Sequence, residues 1–76
     1  MTISVLFFAS LREQLGIDAT TVDAAGLNNV RDLWNAVSDR PLDDTILVAV
    51  NKSYADLNHQ IFDGDEVAFF PPITGG

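Results

Sequence analysis

Apolar side chains crowd into the run Ile3 to Phe8, which is rich in β-branched and aromatic residues and bounded by the polar Ser10. Too short for a buried helix, the run predicts a strand, placed centrally in its sheet. Ser10 to Gly16 carries leucines four apart, with Ser10 as N-cap and Gly16 as stop, and predicts a helix of one or two turns. Thr-rich Ala19 to Val22 predicts a second strand, paired as a hairpin with the first across that helical insertion. From Asn29 to Asp39 the apolar residues Val30, Leu33, Trp34 and Val37 share one helical face. This is the main helix, with Asn28 or Asn29 as its cap, Trp34 as its core anchor and Arg40-Pro41 as its end. Thr45 to Val50 reads as a third strand, Asn51-Lys52-Ser53 as a turn and Tyr54 to Leu57 as a brief strand. Asp63-Gly64-Asp65 makes a tight turn before a last strand, Glu66 to Phe70, which Pro71-Pro72 stops because neither proline can donate to a ladder.

One substantial helix among five strands predicts an α+β chain in the β-grasp arrangement of ubiquitin-like domains, a mixed sheet packed on one main helix. Alternation places Ile3, Val5, Phe7, Val48, Val50, Val67 and Phe69 toward Leu33, Trp34 and Val37. The other face then shows Leu6, Phe8, Leu47, Ala49, Ala68 and Phe70, where a one-sided sheet normally presents polar residues to water. Something is expected to cover that face. Phe8 and Phe70 are its expected anchors, because aromatic residues dominate the buried centres of interfaces, and Tyr54 extends the patch. A homodimer seam, or core packing of the same rings, is the competing reading.

Seventy-six residues, 47% of them hydrophobic and 20% charged, suit one folded domain over 1–76, with residues 71–76 as a tail. Eleven acidic residues against four basic ones give a formal charge of −7, which disfavours nucleic acid and anionic membranes as partners. The absence of cysteine removes disulfides, thiolate catalysis and Cys-based zinc sites, and a single histidine removes His clusters. The apolar opening has no basic residue before it and is cut short by Arg12, Glu13 and Gln14, so a cytoplasmic protein is expected.

Pro71-Pro72-Ile73-Thr74-Gly75-Gly76 cannot continue a regular element, and reads as a projecting flexible tail. Glycines lack Cβ, so such a tail can thread a narrow channel and bring its carboxylate to another protein's reactive atoms. Val5-Leu6-Phe7-Phe8-Ala9, the block from Asp63 to Pro72 and the Gly-Gly end together resemble the MoaD/ThiS family of sulfur carriers, specifically the small subunits of molybdopterin synthase. The final fourteen residues are the specific part of the match, whereas the middle is less distinctive. Tyr54 stands where that family commonly has an aliphatic residue.

The resemblance implies that the Gly76 carboxylate is the covalent site, adenylated by a ubiquitin-activating-like adenylyltransferase with ATP and converted to a thiocarboxylate by a sulfurtransferase. Thr74 and Gly75 would form the tail that delivers this sulfur, inside the synthase's large subunit, to cyclic pyranopterin monophosphate. The implied assembly is a heterotetramer, with catalytic side chains on the large subunit and none on this chain. No bound cofactor or metal is expected, ATP being used by the activating partner. Those partners would compete for one overlapping face, with acidic groups steering encounter.

Three other readings stay open. A thiamine-type sulfur carrier shares the fold and the Gly-Gly end; a ubiquitin-like modifier would form isopeptides through Gly76; a structural interaction domain would use only the apolar face. His59, near Asp56 and Asp63, lacks ligand spacing and reads as part of a solvated loop. Lys52 reads as a solvated turn lysine outside any apolar pocket. Asp43-Asp44 and Asp63, Asp65 and Glu66 lack a calcium-loop pattern and read as turn formers.

Overall fold

The computed structural model describes residues 2–38 and 45–71. In chain order these form β1 (Thr2–Phe7), α1 (Ala9–Leu15), β2 (Ala19–Asp23), α2 (Val30–Val37), β3 (Leu47–Val50), β4 (Ser53–Ala55) and β5 (Glu66–Phe70). The sheet runs β2-β1-β5-β3-β4. β1 and β5 pair in parallel, and the other neighbours are antiparallel. β1 is internal, in line with the central place its N-terminal position suggests, and β5 holds the centre. This is the mixed β-grasp sheet expected from the element order.

Boundaries move where local chemistry outweighs periodicity. β1 stops at Phe7 because Ala9, at φ 52°, turns the chain out of the sheet immediately after Phe8. Phe8, not Ser10, stands at the N-cap of α1, and no side chain caps that end. The other end closes as expected on Gly16, whose φ of 76° suits a residue without Cβ and whose N–H donates to the Arg12 carbonyl. α2 ends at Val37, short of Asp39, where its apolar stripe runs out and Ser38 becomes extended. Arg40-Pro41 and Asp43-Asp44 lie outside the described residues. β3 begins at Leu47 and not Thr45, while β4 is confined to Ser53–Ala55 because a two-residue turn starts it earlier than the pattern suggests.

Asn29 is the α2 cap: its side-chain oxygen accepts from the Asp32 N–H at 2.9 Å, and Asp32 Oδ2 accepts in return from the Asn28 N–H at 3.0 Å. The remaining first-turn donors reach a loop: the Val30 N–H donates to the His59 carbonyl and the Arg31 N–H to that of Leu57. The positive end of α2 is therefore closed by protein carbonyls.

The core lies between α2 and one sheet face. All seven strand residues assigned to that face are buried, as are Val30, Leu33 and Trp34, with Val37 half-buried against them. Trp34 meets Phe7 and Phe69 edge-on, with centroids 6.5 and 5.1 Å away, and those two phenylalanines stack on each other at 5.9 Å. Such offset and edge geometries suit the ring quadrupoles. Leu11, Ile46 and Ile61 complete the core; Leu11 belongs to the leucine pair four apart and Ile46 alternates in phase with Val48 and Val50, while Ile61 lies in a loop that no periodicity marks.

Candidate functional site

The sheet face away from α2 carries a depression of about 450 Å³. Register explains it. Across the sheet Leu6 lies beside Ala68, Ala68 opposite Ala49, and Ala49 opposite Tyr54, so two small side chains form a floor between two larger ones. At the C-terminal end of β5, Phe8 and Phe70 stack almost flat, with centroids 4.9 Å apart and planes at 8°. Tyr54 approaches Phe70 at 6.4 Å. The left-handed Ala9 follows Phe8 directly, and the Phe8 N–H donates to the Phe69 carbonyl at 3.2 Å, which holds the Phe8 backbone beside β5.

The three aromatic residues expected on this face are thus brought together. Phe8 is 40% exposed and Tyr54 75% exposed, so these two are not packed into the main core. Phe70, in contact with both, is half-buried. Ala49 and Ala68 are nearly covered by their larger neighbours, and the hollow is a consequence of their size. Thr74, Gly75 and Gly76 lie outside the described residues. Phe70 is followed by Pro71, so the depression adjoins the place where the chain leaves the sheet toward Gly76.

Lys52 departs from expectation. It does not stand apart from apolar surroundings: with Glu66 it lines the depression at the end away from Phe70. The cause is a two-residue hairpin turn in which Val50 faces Ser53 and both Asn51 (φ 52°) and Lys52 (φ 72°) are left-handed. That is the type I′ geometry, whose twist matches the flanking strands. Asn51 secures the turn, since its amide donates to Asp65 Oδ1, its side-chain oxygen accepts from the Glu66 N–H and its backbone N–H donates to the Glu66 carbonyl. Asp65 also accepts from the Phe62 N–H and so closes its own turn, whereas Asp63 accepts from the Thr2 N–H and ties that turn to the start of β1. Glu66 instead begins β5 and turns its side chain to the depression.

His59 is exposed and contributes through its backbone, as described for α2. Among the described residues no group of His, Cys, Asp and Glu is placed to hold a metal ion, and no helix is long and apolar enough to cross a membrane. No polar or charged side chain among the described residues is buried.

A family model described as the ThiS family matches residues 5–76, taking in the second half of β1, the depression and the Gly-Gly end. The chain belongs to the ThiS family. Within this family it is 49% identical to the molybdopterin synthase sulfur carrier subunit of Escherichia coli K12, over 97% of this chain and 99% of that one. A crystal structure of the protein SAMP1 from Haloferax volcanii superimposes with a TM-score of 0.78 at 32% identity, each chain covered completely. A protein–protein complex of subunits 1 and 2 of molybdopterin-converting factor from Helicobacter pylori 26695 matches with a TM-score of 0.67 over the whole of both chains. At 23% identity it bears on the fold alone. The ThiS-family fold and the β-grasp sheet derived from the register are one architecture.

Proposed function

We propose that this chain is the sulfur carrier subunit of a molybdopterin synthase, acting in the cytoplasm as one domain over residues 1–76. The observation that carries the reading is near-half identity, spread over almost all of both chains, with a relative of that name. The working group is the Gly76 carboxylate, presented by Thr74 and Gly75 beyond the end of β5. A carboxylate is a poor electrophile. An adenylyltransferase similar to ubiquitin-activating enzymes therefore joins it to AMP from ATP with loss of pyrophosphate, and sulfide-level sulfur supplied by a sulfurtransferase displaces AMP, which leaves with the bonding electrons. The resulting thiocarboxylate is largely ionised at neutral pH, and its polarisable sulfur supplies the nucleophile that a chain without cysteine lacks.

The large subunit receives the tail, and the sulfur passes to cyclic pyranopterin monophosphate in a pocket where competing hydrolysis is limited. Catalytic side chains belong to that subunit, and two carriers on two large subunits make a heterotetramer. This chain holds no cofactor of its own, because ATP is consumed by the activating enzyme. The open face supports the docking step: a partner seated over Phe8, Tyr54 and Phe70 stands beside the exit toward Gly76. Adenylyltransferase and large subunit both need that exit, so they exclude one another.

Intact-mass measurement after incubation with ATP, the adenylyltransferase and the sulfur donor tests the chemistry. A sulfur-for-oxygen increase on the whole chain, and restored molybdoenzyme activity in cells lacking their own small subunit, are expected; an unchanged mass overturns the reading. The likeness to the Haloferax volcanii small archaeal modifier protein 1 favours one second reading, a ubiquitin-like modifier using the same adenylate with a lysine amine as acceptor. Branched peptides bearing Gly-Gly on lysines of other proteins would identify it.

A further inference from the structure

Lys52 has no part in the sulfur chemistry and none in holding the fold, yet its position is costly. As the second residue of a type I′ turn it sits at φ 72°, where glycine is strongly favoured and a side chain crowds its own backbone. Nothing in the turn requires lysine, because Asn51 makes the side-chain hydrogen bonds that secure it. It is also the only lysine of a chain with a formal charge of −7. Its ammonium makes no ion pair with a described residue, the pair among them being Arg12 with Asp18 at 3.7 Å. Lys52 is exposed and nevertheless lines the apolar depression. A backbone strained to carry a cation to the margin of an apolar hollow points to something that cation meets.

We infer that Lys52 is a specificity-determining residue of the docking face, pairing with a carboxylate that the large subunit presents beside the depression. The inference rests on the proposed function for the identity of the occupant. The occupant is the protein that takes the tail, because the depression ends at Phe70 beside the exit toward Gly76. When that protein covers the hollow, the ammonium loses water at the border of an apolar contact, and without a counter-charge the loss opposes binding. Glu66 lines the same end of the hollow without forming an ion pair with Lys52.

Long-range and local electrostatics make opposite predictions here. If binding responds only to the net negative charge steering the chain toward a basic partner, deleting its one lysine makes the chain more acidic and strengthens association. If Lys52 meets a carboxylate, the same deletion weakens it. Lys52→Met keeps the unbranched apolar stem and the backbone preference while removing the charge, and Lys52→Arg keeps the charge.

The full chain and both variants would be titrated into the molybdopterin synthase large subunit by calorimetry. We expect Lys52→Met to bind about tenfold more weakly, with Lys52→Arg within about threefold of the unaltered chain. Equal or tighter binding by Lys52→Met overturns the inference. So does an equal loss in both variants, which would place the effect in the shape of the stem. Failure of the unaltered chain to bind the large subunit would overturn the functional assignment, and this inference with it.

Discussion

Asn51 and Lys52 are consecutive non-glycine residues in the left-handed region, and they serve different ends. Asparagine tolerates that conformation and here ties the β3–β4 turn to Asp65 and to the start of β5. Lysine has no such compensation. Lys52→Gly should therefore raise stability by about 0.5–1 kcal/mol in urea denaturation, relief of left-handed strain outweighing the greater backbone entropy of glycine in the unfolded chain. The same variant should bind the large subunit more weakly; a variant both more stable and equally avid would deprive Lys52 of its reason to be there. The placement of Lys52 was not legible in the sequence, which reads as a solvated turn. It follows from pairing Val50 with Ser53, a register that no local pattern specifies.

At the scale of elements, α2 and the two faces of the sheet depend on different properties of the same strands. Trp34 fills the space between α2 and β5, with Phe7 and Phe69 against its ring. Trp34→Ala should cost about 3–5 kcal/mol, much of the roughly 4–11 kcal/mol expected for a domain of this length. Thermal melting monitored by circular dichroism should show the transition broadened or lost near room temperature.

The open face responds differently because its alanines border solvent-accessible space. Ala68→Leu should fill the floor of the depression and leave the melting temperature within a few degrees of the unaltered chain. Binding to the large subunit, followed by gel filtration of the mixture, should fall by at least about tenfold. A complex that survives this substitution would place the partner elsewhere. Phe8 and Phe70 could be assigned to this face from alternation, since both follow residues that point into the core. Their stacking could not, because it depends on β1 and β5 lying side by side in parallel, a pairing between strands almost a chain length apart. The two-alanine floor was half legible: each alanine could be placed on the face, but not the one opposite the other.

For the molecule as a whole, the functional assignment needs a folded domain that stays unchanged while its end is chemically altered. Gly76→Val, or one residue added beyond Gly76, should abolish sulfur transfer to the large subunit's substrate while circular dichroism and affinity for the large subunit remain those of the unaltered chain. Transfer that persists in either variant would remove the steric reason for two terminal glycines. Under the proposed function the high negative charge would act at this scale too, steering encounter over distances that fall with added salt, whereas the proposed Lys52 contact would act only after docking.

Element order, the buried face of each strand and the apolar stripe of α2 were determined by the sequence itself. They rest on periodicity, on proline and glycine backbone preferences and on residue type, all of which act within a few positions along the chain. The position of Lys52 on the open face, the aromatic pair beside the exit, the alanine-floored hollow and the contribution of Ile61 to the core were decided only in the tertiary structure. Each requires residues from separate elements to meet, and the pairing of distant strands is set by the combined burial of the whole sheet against α2.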